Sequence, residues 1–114
     1  MIFHLVKPQY WKTFDEKDTY FAETFEQEGF IHCSTTEQIA GVLERYYKNA
    51  GEMLLLHIDE SKLSSKLIYE KATNDELFPH IFGGINKSAI TNIEMLVEQS
   101  VGKYNLVKTD KVSD

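Results

Sequence analysis

The segment "EGFIHCSTTEQIAGVLERYY" (residues 28–47) contains a strand followed directly by a helix, and it decides the fold class. The run "GFIHCS" is rich in apolar residues and bounded by a glycine, so it predicts a short β-strand. Ser34 and Glu37 have the S-x-x-E spacing of a capping box, which predicts that a helix begins here. Apolar residues then recur at helical spacing and define one face of an amphipathic helix. These residues are Ile39, Val42, Leu43, Tyr46 and Tyr47.

The rest of the chain consists mainly of strand-like runs. Strands are predicted in "IFHLV" (2–6), "MLLLHID" (53–59), "LIYEKA" (67–72) and "SAITNIEMLVEQ" (88–99), with a strand or turn in "HIFGG" (80–84). The run at 53–59 is almost continuously apolar, which indicates a central strand buried on both faces. "TNDELFP" (73–79) is predicted to be a loop, and Gly29 to end a short helical segment.

Strands and helices do not alternate regularly, so the sequence predicts an α+β fold rather than a doubly wound one. We expect five or six short, twisted strands around a pocket, with one main amphipathic helix. At 114 residues the chain has the length of one domain. We predict a single compact domain over residues 1–99 and a polar, loosely ordered tail over residues 100–114.

Charge and composition argue against several classes of partner. Lys and Arg number 12 against 18 Asp and Glu, and the net charge of −6 disfavours nucleic acids and anionic membrane surfaces. A small molecule in a pocket is therefore the expected partner. Cys33 is the single cysteine, and no apolar run reaches the roughly 18 residues of a membrane span. The N-terminal residues do not form a signal peptide, so we expect a cytoplasmic protein.

Three histidines carry the functional prediction. His4 and His32 lie within predicted strands, and His80 follows Pro79 at the beginning of another. By strand alternation, His32 shares a face with Ser34, next to the free amides at the beginning of the helix. We expect these side chains to line one ligand pocket, whereas His57 is expected to be a paired core residue.

A carboxylate and two aromatic residues complete the predicted site. Glu70 lies in a strand rather than on a helix surface, and it is either a catalytic group or a charge at a strand edge. We predict catalytic roles for Glu70 and His32. Tyr10 and Phe78 are expected to be aromatic walls of the pocket, or else core residues.

Two other functions stay open at this stage. The histidines could hold a metal ion from separate strands, although no helical H-x-x-x-H or zinc-type Cys–His spacing is present, and no metal ligand is assigned. Alternatively, the apolar segments around Trp11 and residues 78–82 could form the surface of a non-catalytic interaction module. Cys33 is out of phase with His32, so a Cys–His nucleophile pair is not expected.

The sequence also resembles a bacterial family, domain of unknown function 952, from about Ile2 to about Leu96. The most specific matches are "GFIHCS" and "FPHIFG". Members of that family are grouped with the ADP-ribosylation fold. In addition, "FHLV" and "FIHCS" are similar to strand motifs of RNA 2′-phosphotransferases and of ADP-ribosyltransferases of the poly(ADP-ribose) polymerase type. Leu5 and Val6 stand where those motifs have Gly and Thr.

This resemblance implies a ligand and a chemistry. His4 would contact the ribose of NAD, and His32 and Ser34 would occupy the second-strand position of the site. NAD or an ADP-ribose-like nucleotide is then the expected ligand. Any reaction would be a glycosyl or phosphoryl transfer. In the glycosyl case Glu70 would hydrogen-bond a ribose hydroxyl and stabilise an oxocarbenium-like centre. The sequence leaves open whether the protein is an enzyme.

Overall fold

The computed structural model describes residues 1–107, except for the side chains of Thr73, Leu106 and Val107. The strands are β1 (Ile2–Val6), β2 (Thr19–Tyr20), β3 (Ile31–His32), β4 (Glu52–Ile58), β5 (Lys66–Lys71), β6 (Leu77–Phe82), β7 (Ile85–Asn86), β8 (Ile90–Ser100) and β9 (Lys103–Val107). The α-helices are α1 (Pro8–Lys12), α2 (Phe25–Glu28) and α3 (Ile39–Tyr46). Short 3-10 turns occupy Thr36–Gln38, Glu60–Lys62, Thr73–Asp75 and Lys87–Ala89. The α+β class is confirmed, with strands predominating.

The strands form three antiparallel sheets. The largest has the order β1-β4-β8-β9, the second is β3-β6-β5, and β2 pairs with β7. Strand β4 is central in the large sheet, and residues 53–56 and Ile58 are buried, as the apolar run predicts. One face of this sheet packs against α3, and the other packs against the two smaller sheets.

Helix α3 is the main amphipathic helix that the sequence predicts. Leu43 is buried, and Ile39, Val42 and Tyr47 pack against a cluster that includes Phe3. Tyr46 differs from the prediction, because 59% of it is exposed. The helix ends at Tyr46, so the following Tyr47 faces the core from an irregular turn.

The capping box lies one residue later than predicted. Thr35 and Gln38 form it, and the Gln38 side chain accepts the Thr35 N–H at 3.0 Å. Ser34 is still in extended conformation, because its backbone forms an antiparallel bridge with Phe3. Gln38 also donates to the Leu77 carbonyl at 2.7 Å, so the box joins the beginning of the helix to β6.

The predicted C-terminal tail and one predicted loop contain strands. Strand β9 pairs with β8 inside the segment expected to be loosely ordered, and residues 108–114 lie outside the described residues. Strand β6 begins at Leu77, within the predicted loop. The turn before β9 is stabilised by Glu98, whose carboxylate accepts backbone N–H bonds from Asn49, Gly51 and Gly102. These partners are distant in sequence, so local pattern does not reveal them.

The described part of the chain contains no helix of the length and apolarity that membrane crossing requires.

Candidate functional site

A cavity of about 110 Å³ opens where β1 ends, beside the connection from β2 to α2. We call it the cleft. Its walls include His4, Tyr10, Tyr20, Glu23, His32 and Tyr47. Tyr10 is fixed there because its hydroxyl donates to the Phe21 carbonyl at 2.7 Å. The cleft therefore contains three of the residues predicted to bind a ligand.

His4 is buried in the cleft wall, and both of its ring nitrogens have partners. Nδ1 lies 2.7 Å from the His32 carbonyl, which can only accept, so Nδ1 carries the hydrogen. Nε2 then accepts from the Tyr20 hydroxyl at 2.8 Å. Burial lowers the pKa of His4 to about 4, and the ring is neutral at physiological pH. His4 thus fixes the backbone of His32 and presents no unpaired ring nitrogen to the cleft.

His32 is the exposed imidazole of the cleft. Its side chain is 54% accessible, and Nε2 lies 3.2 Å from Glu28 Oε1. Partial burial acts to raise the pKa of Glu28, but hydrogen bonds from Thr24 and His32 outweigh it and lower that pKa. The carboxylate of Glu28 therefore stays ionised and orients the His32 ring at the edge of the cleft.

The second group of predicted residues lies on one face of the β3-β6-β5 sheet. We call this the histidine face. His32 and His80 are direct cross-strand partners, and their ring centroids lie 5.0 Å apart at nearly a right angle. His80 is only 5% exposed, and its Nδ1 donates to Glu70 Oε1 at 2.8 Å. The Phe30 ring stacks on His80 with a centroid distance of 4.2 Å.

The tautomer of His80 follows from this contact. A carboxylate accepts hydrogen bonds, so the hydrogen lies on Nδ1 and leaves a lone pair on Nε2. Nε2 is buried and has no hydrogen-bond partner in the described part of the chain, whereas buried polar groups are usually paired. This nitrogen is the least satisfied feature of the histidine face.

The predicted pocket is therefore divided into two neighbouring parts that share His32. His4, Tyr10 and His32 border the cleft, and His32, His80 and Glu70 meet on the histidine face. Ser34 is not among the residues that line the cleft, whereas Phe78 is the direct cross-strand partner of Glu70 and shares the histidine face with it. Ser34 is buried and bridged to β1 through its backbone, and Phe78 is buried opposite Glu70 on β6.

Sequence reasoning missed several residues that shape the site. Tyr20 was not nominated, because its strand β2 is only two residues long. Glu28 lies four residues before His32, a spacing that could have suggested the contact, but a left-handed Gly29 separates the helix from the strand. Phe30 shares a face with His32 by alternation and could have been found from the pattern.

His57 and Cys33, the remaining histidine and the single cysteine, contribute to neither part of the site. His57 is paired, with Nε2 at 2.5 Å from the buried Glu94. Cys33 is buried, and burial raises the pKa of its thiol. Within residues 1–107, no group of three His, Cys, Asp or Glu side chains is arranged to hold a metal ion.

Comparison with known proteins places the chain in a family. Two X-ray structures of CC0527 from Caulobacter crescentus, one of them a double mutant, have TM-scores of 0.83 and 0.82 with this chain at 20% and 19% identity. Each similarity covers 91% of this chain and 92% of that one. The solution NMR structure of CC0527 gives a TM-score of 0.73 at 20% identity over 89% and 90% of the two chains. These likenesses show a shared fold.

No curated protein matches this sequence. A family model described as "Protein of unknown function (DUF952)" matches residues 5–93, which is most of the chain; the match includes His32, Glu70 and His80 and begins one residue after His4. The chain therefore belongs to the DUF952 family of proteins of unknown function.

Proposed function

We propose that the protein binds a small ligand in the cleft and that His32 makes the decisive polar contact. The observation that carries this proposal is the position of His32, which borders the cleft while more than half of its side chain is accessible. Its Nε2–H is directed to the Glu28 carboxylate, so the neutral ring offers Nδ1 to a ligand as a hydrogen-bond acceptor. His4 holds the backbone carbonyl of His32 and Glu28 holds its ring, so the ring is oriented before a ligand arrives.

The size of the cleft limits the ligand. Its volume of about 110 Å³ is below the roughly 300–1,000 Å³ of pockets that enclose drug-sized molecules. One ring or one sugar fits. In our proposal the ligand is NAD or an ADP-ribose-like nucleotide that places a single ring in the cleft and leaves its remainder on the surface.

Motif resemblance and contact geometry support the nucleotide class together. The two motifs "FHLV" and "FIHCS" lie on β1 and on the β3 segment, which are joined by the Phe3–Ser34 bridge and by the bond from His4 Nδ1 to the His32 carbonyl. An ADP-ribosylation-like fold would bring its motif strands together in the same way. The enzymatic form of the proposal is a glycosyl or phosphoryl transfer on the bound ring or sugar.

The test is an amide chemical-shift titration of the 15N-labelled protein with NAD, ADP-ribose and nicotinamide. We expect shifts at Tyr10, Thr24 and His32, which border the cleft. His32→Gln should weaken binding about tenfold, the effect of losing one good hydrogen bond. Glu37→Gln, an exposed change on the turn before α3, is the matched control and should bind as the wild type does. Unchanged cleft amides at millimolar ligand would exclude the nucleotide class.

A further inference from the structure

We propose that His80 is a proton acceptor for the ligand and that Glu70 is the residue that positions it. This inference rests on the proposed function, because the proton belongs to a ligand bound beside His32. It assigns the two residues different roles from those that the sequence suggests. Glu70 acts through His80 instead of contacting a ribose hydroxyl, and His80 becomes the base.

The first support is the arrangement of the His80 ring. Its Nδ1–H is bonded to Glu70 Oε1, which fixes the tautomer and leaves the Nε2 lone pair without a donor. A carboxylate bonded to one imidazole nitrogen orients the ring and stabilises the imidazolium that forms after proton transfer. The bond to Glu70 therefore leaves His80 Nε2 oriented and able to accept a proton from a ligand.

The second support is the position of Phe30, whose side chain covers one face of the His80 ring. Phe30 stacks on His80 and contacts the edge of His32, and its own side chain is only half-buried. It lies between Gly29, which is in the left-handed conformation, and a strand of two residues. Because Phe30 is more accessible than the His80 ring beneath it, its side chain can change rotamer while the strand stays paired. We infer that the ligand reaches His80 when Phe30 moves aside.

The charges around His80 define the chemistry of the donor. Glu28 and Glu70 both carry negative charge beside the two imidazoles, so an anionic group is disfavoured there. The donor is therefore a neutral hydroxyl or amide N–H. In the step that we propose, the O–H or N–H bond of the ligand breaks, the proton forms a bond to His80 Nε2, and the electron pair stays on the ligand atom as a nucleophile.

The tautomer is tested first, by NMR of the 15N-labelled histidine side chains without any ligand. We expect His80 to carry its hydrogen on Nδ1 in the wild type and in Glu28→Gln, the control that alters the carboxylate beside His32. Glu70→Leu removes the acceptor and should redistribute the hydrogen between the two nitrogens. A wild-type ring protonated on Nε2 would overturn the inference.

The cover is tested by modification of histidines with diethyl pyrocarbonate, located by mass spectrometry. Phe30→Ala should accelerate modification of His80 by about tenfold or more, because the wild type must first open locally. Phe21→Ala is the matched control, since Phe21 is an exposed phenylalanine whose ring contacts Phe25, and it should leave the rate unchanged. If Phe30→Ala does not fold, Phe30→Leu replaces it. An unaltered rate in a folded Phe30 variant would overturn the inference.

The last test separates this inference from the proposed function. During the NAD and ADP-ribose titrations, the His80 Nε2 resonance should move together with the cleft amides. If the cleft amides move and His80 does not, the inference is overturned while the proposed function stands. If neither moves, both are overturned.

Discussion

The clearest quantitative prediction concerns the unfolding free energy at mildly acidic pH. His4 is neutral in the folded protein, because burial lowers its pKa from an ordinary 6.5 to about 4. In the unfolded chain the same ring binds a proton near its ordinary pKa. Between these two values the unfolded state binds more protons than the folded state. The unfolding free energy therefore decreases as the pH falls through this window.

The magnitude follows from the size of the shift. Each pKa unit corresponds to about 1.36 kcal/mol, so a shift of about two and a half units makes His4 responsible for a loss of about 3 kcal/mol. The contribution is intact above pH 6.5 and is lost by about pH 4. This amount is a large fraction of the roughly 5–15 kcal/mol that holds a small domain together.

Urea unfolding at a series of pH values from 7 to 4 measures the effect. His4→Gln removes the titrating group, and the difference between the two proteins isolates His4 from the carboxylates. We expect the variant to lose about 3 kcal/mol less than the wild type across this range. If His4→Gln does not fold, the 13C resonance of the His4 ring gives the same information directly. A ring that titrates near pH 6.5 would refute the reasoning, since His4 would then not be a desolvated, doubly paired imidazole.

Three further predictions concern stability at neutral pH. Gly84→Ala places a Cβ 2.4 Å from Thr19 Cγ2, so it should lower the unfolding free energy, measured by urea unfolding, by about 1–3 kcal/mol. The control is Gly41→Ala in helix α3, which should raise the unfolding free energy by about 0.5–1 kcal/mol. Gln38→Leu removes the side-chain partners of the Thr35 N–H before α3 and of the Leu77 carbonyl on β6, and it should cost about 1–3 kcal/mol in the same assay. Glu98→Gln should lower the melting temperature, because hydrogen bonds from three backbone amides lower the pKa of that carboxyl. The stabilisation by Glu98 is present above the ordinary pKa of a glutamate and is lost as the pH falls, so the two melting temperatures should converge in acid.

The elements that the sequence predicts well are those with a strong local pattern. Strand β4 was identified from a continuous apolar run, and α3 from its helical periodicity. The capping box was placed one residue early, because the pairing of Ser34 with β1 extends the strand and moves the beginning of the helix. Strand β9 was missed, since its alternation is weak and it depends on a turn fixed by Glu98.

In the candidate site, too, the sequence pattern identified residues but not the distant groups that surround them. The residue types in "IFHLV", "GFIHCS" and "FPHIFG" were sufficient to nominate His4, His32 and His80. Their individual environments could not be read from the pattern. The structure pairs His4 on both nitrogens, leaves His32 exposed, and buries His80 with one nitrogen unpaired.

The sequence by itself determined the α+β class, the central buried strand, the amphipathic helix and a short set of candidate imidazoles. The tertiary structure decided which of these imidazoles meet, which ring nitrogen carries the hydrogen, and which ring solvent can reach. The physical reason is that periodicity reports only which face of an element is apolar. Hydrogen-bond partners and desolvation come from groups far along the chain, such as the Tyr20 hydroxyl on His4 and the Glu70 carboxylate on His80.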